Sequence, residues 1–315
     1  MNFLTNKNIF LFFIILCFVF ISSSTLSISK SVPLLRYNST EESVIKSKLF
    51  PPLPVLVAKS YFPTLSAQGV VATDLDSGIS LYEKNADAVL LPASTTKIIT
   101  ALVSLDTYQL DQVLTVGKGV SVDGQKMGLF TGEQMKFENL LYGLLVYSAN
   151  DAAETLAQNY KGGYDAFVTA MNKKAADLSM TNTHFDNPVG LDTNGQHSTA
   201  RDLVRASEVA MRNPEFAKVV GTKNIVVTDT AGKNSYNLLN VNELLGVIPG
   251  VVGVKTGWTE NARENLVTYI ERDNHDGVTH KVMIAVLGSQ DRFGETKELI
   301  NWIFGSYKWQ EVKTP

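Results

Sequence analysis

The sequence predicts an α+β protein: an antiparallel sheet assembled from distant segments, flanked by helices and set beside a helical lobe. Two observations predict it. Short β-rich runs lie toward both ends of the folded region, and helical periodicity is grouped between them. No internal repeat is present. The chain of 315 residues is 44 % hydrophobic and 19 % charged, enough to bury one large core or two modest ones. A formal charge of -3, with no Lys/Arg run interleaved with aromatics, argues against a nucleic-acid partner.

The elements follow in chain order. Met1 to Asn8 carries one cation, Lys7, and leads into the apolar run Ile9 to Ile21 and the cluster Ser22 to Thr25. This is the layout of an export signal, and the run is shorter than the roughly 20 residues a spanning helix needs. Residues 1–24 are therefore read as a signal peptide or N-terminal membrane anchor. The single cysteine, Cys17, lies within it, so the mature region has neither a disulfide nor a thiolate nucleophile. Residues 25–66 are richer in Ser, Pro and isolated charges and read as a tether. A catalytic domain is expected over 67–308, with 309–315 as a tail.

Within that domain, Gly69 to Asp74 and Ile79 to Lys84 read as a hairpin about a turn at Leu75 to Gly78. Ile98, Ala101, Leu102 and Leu105 repeat at helical spacing, which puts Ser94 at a helix start. Phe137 to Asn159 and Tyr164 to Leu178 also read as helices. Val247 to Thr256, Asn265 to Glu271 and His280 to Leu287 read as strands, and Arg292 to Phe304 as a closing amphipathic helix.

Three short motifs carry the chemistry. Ser-x-x-Lys occurs at Ser94 to Lys97, and also at Ser27 to Lys30 and Ser43 to Lys46. Ser-x-Asn occurs at Ser148 to Asn150 and at Ser235 to Asn237, while Lys255-Thr256-Gly257 occurs once. Each is weak alone. Their order and setting select Ser94, Ser148 and Lys255: a helix start, a loop after a helical run, and a strand. Residues three apart share a helix face, so the Lys97 amine can reach the Ser94 hydroxyl. A serine needs a base to take its proton, so Lys97 must be made less basic, by burial and by a second cation such as Lys255. The unpaired Ser94 N–H at the helix start can help hold an oxyanion.

Beyond the trio, the sequence resembles the low-molecular-mass penicillin-binding proteins, the serine-type D-Ala-D-Ala carboxypeptidases. The likeness runs from about Gln68 to Tyr307 through Leu81 to Asp87, Pro92 to Lys97, Ser148 to Ala152, Asn182 to Phe185, Gly190 to Asp192, His197 to Asp202 and Lys255 to Thr259. It implies a β-lactamase/transpeptidase-like fold and an extracytoplasmic hydrolase that removes D-alanine from peptidoglycan stem pentapeptides through a Ser94 acyl-enzyme, with β-lactams as covalent inhibitors. By the same resemblance Lys97 is the base, Ser148 relays a proton to the leaving D-alanine, and Asn150 orients Lys97 and the substrate amide. Lys255 supplies positive potential, Thr256 bonds the terminal carboxylate, Gly257 leaves room for substrate, the Trp258 N–H is a second oxyanion donor, and Arg292 assists with the carboxylate.

Plain readings stand beside these. Ser94 alone is an ordinary N-cap, Lys255 an edge-strand lysine, Gly257 a hairpin glycine, and Ser148 with Asn150 a turn. Asp151 and Glu154 read as helix-start carboxylates favoured by the dipole. His184, His197, His275 and His280 show no metal-ligand spacing, and neither metal nor cofactor is expected. The sequence departs from the family at Ala149, where glycine is common, and at Arg263, where glycine is usual and a left-handed turn would strain arginine. Relatives often carry a second domain and a membrane tail, so membrane contact is expected through the amino end. A D,D-endopeptidase or transpeptidase, a non-turnover penicillin-binding receptor and a β-lactamase remain alternatives. The last is disfavoured because residues around Asp186 to Leu191 stand where a Glu-x-x-Leu-Asn element is expected.

Overall fold

The computed structural model describes residues 51–57, 61–120, 122–274 and 276–312. The signal, the first part of the tether, the two upstream Ser-x-x-Lys matches and His275 lie outside them. Five strands form one antiparallel sheet in the order β3-β2-β10-β9-β8: β2 (Gly69–Asp74), β3 (Ser80–Lys84), β8 (Val251–Thr259), β9 (Arg263–Asp273) and β10 (Thr279–Ser289). Both faces are covered, which is why these strands read as near-continuous apolar runs. Side chains alternate between the faces with the period of two. Val282, Ile284 and Val286 pack with Leu299, Ile300 and Ile303 of α7 (Arg292–Ser306), while Met283, Ala285 and Leu287 join the core of the helical lobe.

The lobe is built on α1 (Lys97–Thr107), whose Ile98, Ile99, Ala101, Leu102 and Val103 are all buried. A helix apolar on every side belongs at the centre of a bundle. Around it stand α2 (Phe137–Leu145), α3 (Asn150–Asn159), α4 (Gly163–Asp177) and α5 (Ala200–Met211), with α6 (Pro214–Val220) against β8. Two small hairpins, β4 (Val113–Thr115) with β5 (Gln134–Lys136) and β6 (Asn224–Thr228) with β7 (Ser235–Leu239), complete it.

Four differences from the sequence reading have physical causes. The single helix read over Phe137 to Asn159 is two, interrupted where Ser148 takes a left-handed φ of 62° and the Ala149 N–H returns to the Gly143 carbonyl. Helix α5 is amphipathic and starts on a Thr199 cap bonded to the Asp202 N–H, and α6 starts on Asn213 with Pro214 behind it; both start signals stand in the sequence and neither helix was read. Strand β8 begins at Val251 rather than Val247, because Asn242 to Gly250 form successive turns. Finally, β1 (Leu53–Leu56) lies in the segment read as tether and pairs with β11 (Tyr307–Gln310), whose end falls in the segment read as tail. Leu65 is buried, and the ring of Phe62 sits 4.9 Å from that of Trp302. The folded unit thus extends past 67–308 at both ends.

Arg263 has φ 58° at the tip of the β8–β9 hairpin, where it pairs with Thr259 across a three-residue loop. That position favours glycine, because a left-handed L-residue crowds its own Cβ against the following carbonyl. Arg263→Gly is therefore expected to raise the unfolding free energy by about 0.5–1 kcal/mol in urea titration, after the entropy cost of glycine is subtracted. Unchanged or lower stability would show that the arginine side chain offsets its own backbone strain.

Candidate active site

The nucleophile turn is assembled from three segments. Ala93–Thr96 form one 3-10 turn that runs into α1, with Ala93 at φ 48° and the Thr95 hydroxyl donating to the Pro92 carbonyl at 2.6 Å. Gly190, at φ 90°, lies so close that a Cβ there would stand 1.9 Å from the Ala93 carbonyl oxygen. On the other side, a Cβ on Gly257 would come within 3.1 Å of the Pro92 oxygen and of the Ser94 and Thr95 nitrogens. Gly257 therefore leaves room for the turn that carries Ser94, a packing role distinct from the room for substrate that the resemblance implies.

Two serine–lysine pairs meet at this turn. The Lys97 Nζ donates to Ser94 Oγ at 2.8 Å and to the Val189 carbonyl at 2.6 Å. The Lys255 Nζ donates to Ser148 Oγ at 2.8 Å and to the Thr256 carbonyl at 2.9 Å. Both lysines are fully buried, with relative exposures of 0 % and 1 %. Burial pulls Lys97 down to about 7, against the opposing pull of the Glu154 and Asp151 carboxylates. Lys255 is also driven well down, by burial first and then by repulsion from Lys97 and Arg292. The sequence reading assigned the second-cation effect to Lys97. Here desolvation alone lowers Lys97, and the repulsion is felt at Lys255.

Ser94, Ser148, Asn150, Thr256, Gly257, Trp258 and Arg292 line one cleft of about 600 Å³, with the two lysine amines beneath it. The second Ser-x-Asn match, at Ser235, lies in β7 outside that lining. Asn150 differs from its expected role of orienting Lys97: its side-chain amide donates to the Asp123 carbonyl, and its backbone N–H to the Gln125 carbonyl at 2.7 Å. Asp151 opens α3, as read from sequence, and its carboxylate also accepts the Met127, Gly128 and Leu129 N–H groups at 2.8–3.0 Å, pinning the loop that forms this wall. Arg292 donates through Nη1 to the Gly257 carbonyl at 2.9 Å, and its guanidinium lies 4.7 Å from the Phe293 ring centre. It is thus tied to the active-site strand rather than merely solvated.

Asn187 was missed. Its Oδ1 accepts the N–H groups of Val189, Gly190 and Leu191 at 3.3, 2.8 and 3.1 Å, and its Nδ2 donates to the Leu191 carbonyl at 2.9 Å. This fixes the loop whose carbonyl receives Lys97. The signal was available in Asn187-Pro188-Val189-Gly190, since asparagine before proline with a nearby glycine is a turn that bonds its own backbone. Among the described residues no group of three or more His, Cys, Asp or Glu is placed to hold a metal ion.

The sequence profile described as D-alanyl-D-alanine carboxypeptidase matches residues 57–289. The chain belongs to the D-alanyl-D-alanine carboxypeptidase family. It is 32 % identical over 248 residues to the Bacillus subtilis D-alanyl-D-alanine carboxypeptidase DacF, covering 77 % of this chain and 63 % of that protein. It is 34 % identical over 247 residues to a Pseudomonas aeruginosa D-alanyl-D-alanine endopeptidase, covering 76 % and 77 %. The fold superposes on the crystal structure of the Streptomyces K15 DD-transpeptidase with a TM-score of 0.72 at 32 % identity, covering 78 % of this chain and all of that one. It also matches a Mycobacterium tuberculosis D-alanyl-D-alanine carboxypeptidase with a TM-score of 0.73 at 34 % identity, covering 83 % and 100 %. The chain spans a little under two thirds of the Bacillus relative's length.

The buried amine of this family member has a cost that can be measured. Lys97 titrates near 7 when folded and near its ordinary value when unfolded. The unfolded chain therefore binds the extra proton, and folding stability falls as pH drops from about 10 to about 7, by at most on the order of 4 kcal/mol. Lys97→Met removes that penalty. We expect the variant to lose acylation yet gain thermal stability relative to wild type at pH 6, with the gain shrinking toward pH 10. An equal offset at every pH would show that burial does not perturb this amine.

Proposed function

We propose that the protein is a serine D,D-carboxypeptidase that removes the terminal D-alanine from peptidoglycan stem pentapeptides. The observation that carries this reading is the Lys97 amine, titratable near neutrality and 2.8 Å from the Ser94 hydroxyl in a cleft with a second serine–lysine pair. In this mechanism Lys97 takes the Ser94 proton as Ser94 Oγ attacks the scissile carbonyl. The Ser94 and Trp258 N–H groups receive the oxyanion. Ser148, backed by Lys255, relays the proton that Lys97 took from Ser94 to the leaving D-alanine amine, and water then releases the shortened peptide from Ser94.

Recognition of the free C-terminus falls to Thr256 and Arg292, with the buried Lys255 amine behind them. Asn150 acts as the substrate-amide partner once it releases the Asp123 carbonyl, and Gly257 admits the backbone along β8. β-Lactams would acylate the same serine. The N-terminal apolar run supports an extracytoplasmic location, as a secreted enzyme or one held at the outer membrane face. A second reading, endopeptidase or transpeptidase, draws on the names of the Pseudomonas relative and the Streptomyces structure. The β-lactamase alternative is weaker, because Lys97 meets the Val189 carbonyl, rather than a carboxylate, on the loop facing it.

Purified protein is expected to release D-alanine from a pentapeptide ending in D-Ala-D-Ala and to be labelled by a fluorescent penicillin. Ser94→Ala should lower both by on the order of 10⁴-fold or more. Cleavage confined to cross-linked dimers would replace this reading with endopeptidase, labelling without any release would indicate a receptor, and rapid hydrolysis of the label a β-lactamase.

A further inference from the structure

Glu154 is a buried ionisable group that the mechanism above leaves unused. It follows Asn150 by four residues and Asp151 by three on α3, so all three project from one side of the helix. Asn150 lines the cleft and Asp151 is satisfied by three backbone N–H groups. Glu154 is 8 % exposed, and among the described residues no hydrogen-bond donor pairs with its carboxyl. A carboxyl that is largely desolvated is costly to ionise unless a cation lies near it.

Helix α1 contacts α3 and carries the fully buried Lys97 at its first position. The interaction is mutual. Lys97 is the one charge acting on Glu154, and Glu154 is the strongest charge acting on Lys97, ahead of Asp151. From α4, Tyr164 also senses Glu154, its phenol raised by burial and by that carboxyl. Lys97 and Arg292 act on Lys255, and neither Lys255 nor Arg292 is among the charges on Glu154. Burial lifts Glu154 to about 7, where it meets Lys97 coming down.

We propose that Glu154 is a positioning residue of the reaction, acting through Lys97: its buried carboxylate balances the ammonium that forms when Lys97 takes the Ser94 proton. The step breaks the Ser94 O–H bond and forms one Lys97 N–H bond, with no other reactant. Without a nearby anion, the new ammonium would sit uncompensated in a dry site beside Lys255. Glu154 thus keeps Lys97 basic enough to abstract a proton while burial keeps it neutral at rest, the compromise that general-base catalysis requires.

This inference rests on Lys97 as the base, and its test reads acylation alone. Glu154→Gln keeps the shape of the side chain and removes its charge. The rate of labelling by a fluorescent penicillin, measured against pH, should show its acid limb moved about 0.5–1 unit lower, since the ammonium loses its stabilising neighbour. The plateau should fall roughly 3–10-fold, because a weaker base remains. Glu154→Asp should hold the limb near its wild-type position. Coincident limbs for wild type and Glu154→Gln, whatever their heights, would overturn the proposal and leave Glu154 a packing residue. Should Glu154→Gln unfold early, the limb of Glu154→Asp against that of Glu154→Ser gives the same decision. Wild type that labels normally but releases no D-alanine defeats the carboxypeptidase reading and leaves this one standing; wild type that never labels defeats both.

Discussion

The structure depends on a single costly arrangement: two lysine amines, Lys97 and Lys255, buried within one cleft and each bonded to a serine hydroxyl. Water would solvate both ammonium groups far better than these surroundings do, so burial drives both toward the neutral form. For Lys97 this brings the amine to about 7. The expense falls on folding, and the doubly covered sheet and the buried apolar residues of α1 supply the opposing burial. The two amines come from opposite layers, one at the head of the central helix and one on β8, so the site exists only when lobe and sheet are docked.

That docking also explains why the site lies at the sheet edge. Strand β8 is terminal in the order β3-β2-β10-β9-β8, and it presents Thr256, Gly257 and Trp258 along an unpaired margin. An open edge offers backbone groups to an extended peptide, while a central strand offers none. Gly124 with Gln125 and the Val189–Leu191 loop held by Asn187 close the cleft from flanks of different origin.

Much of this was legible in the sequence, and what escaped has a common cause. Ser94 and Ser148 could be picked from several matches, and Lys255 from one, by their settings: a helix start, a loop after a helical run, and a strand. The sheet strands were legible because their buried faces leave long Val/Ile/Leu runs. Local pattern could not show that Phe137 to Asn159 breaks, since only the left-handed Ser148 interrupts an otherwise helical composition. Nor could it show β1 and β11, each four residues long and defined only by the other. Asn150 was assigned a partner by analogy, and its actual acceptor, the Asp123 carbonyl, is supplied by a loop whose path no local rule fixes.

Backbone strain follows the same geography. Of the five non-glycine residues at positive φ among the described residues, Ala93 precedes Ser94, Ser148 is the second serine, and Arg263 ends the hairpin that carries Trp258. Such conformations persist only where neighbours over-determine them. At Ala93 the neighbours are Gly190 and Gly257, whose missing side chains let two loops clamp the turn. At Ser148 the hold is the Lys255 amine together with the Ala149-to-Gly143 backbone bond. Arg263 has no clamp of this kind, only the ordinary pairing of a hairpin tip and the Ala262 N–H bond to the Thr259 hydroxyl. Strain at the first two positions aims a hydroxyl at a buried amine and is fixed by the chemistry. At the third it aims nothing toward the lysines, and so this is the position where glycine can replace the native residue without disturbing either serine–lysine pair.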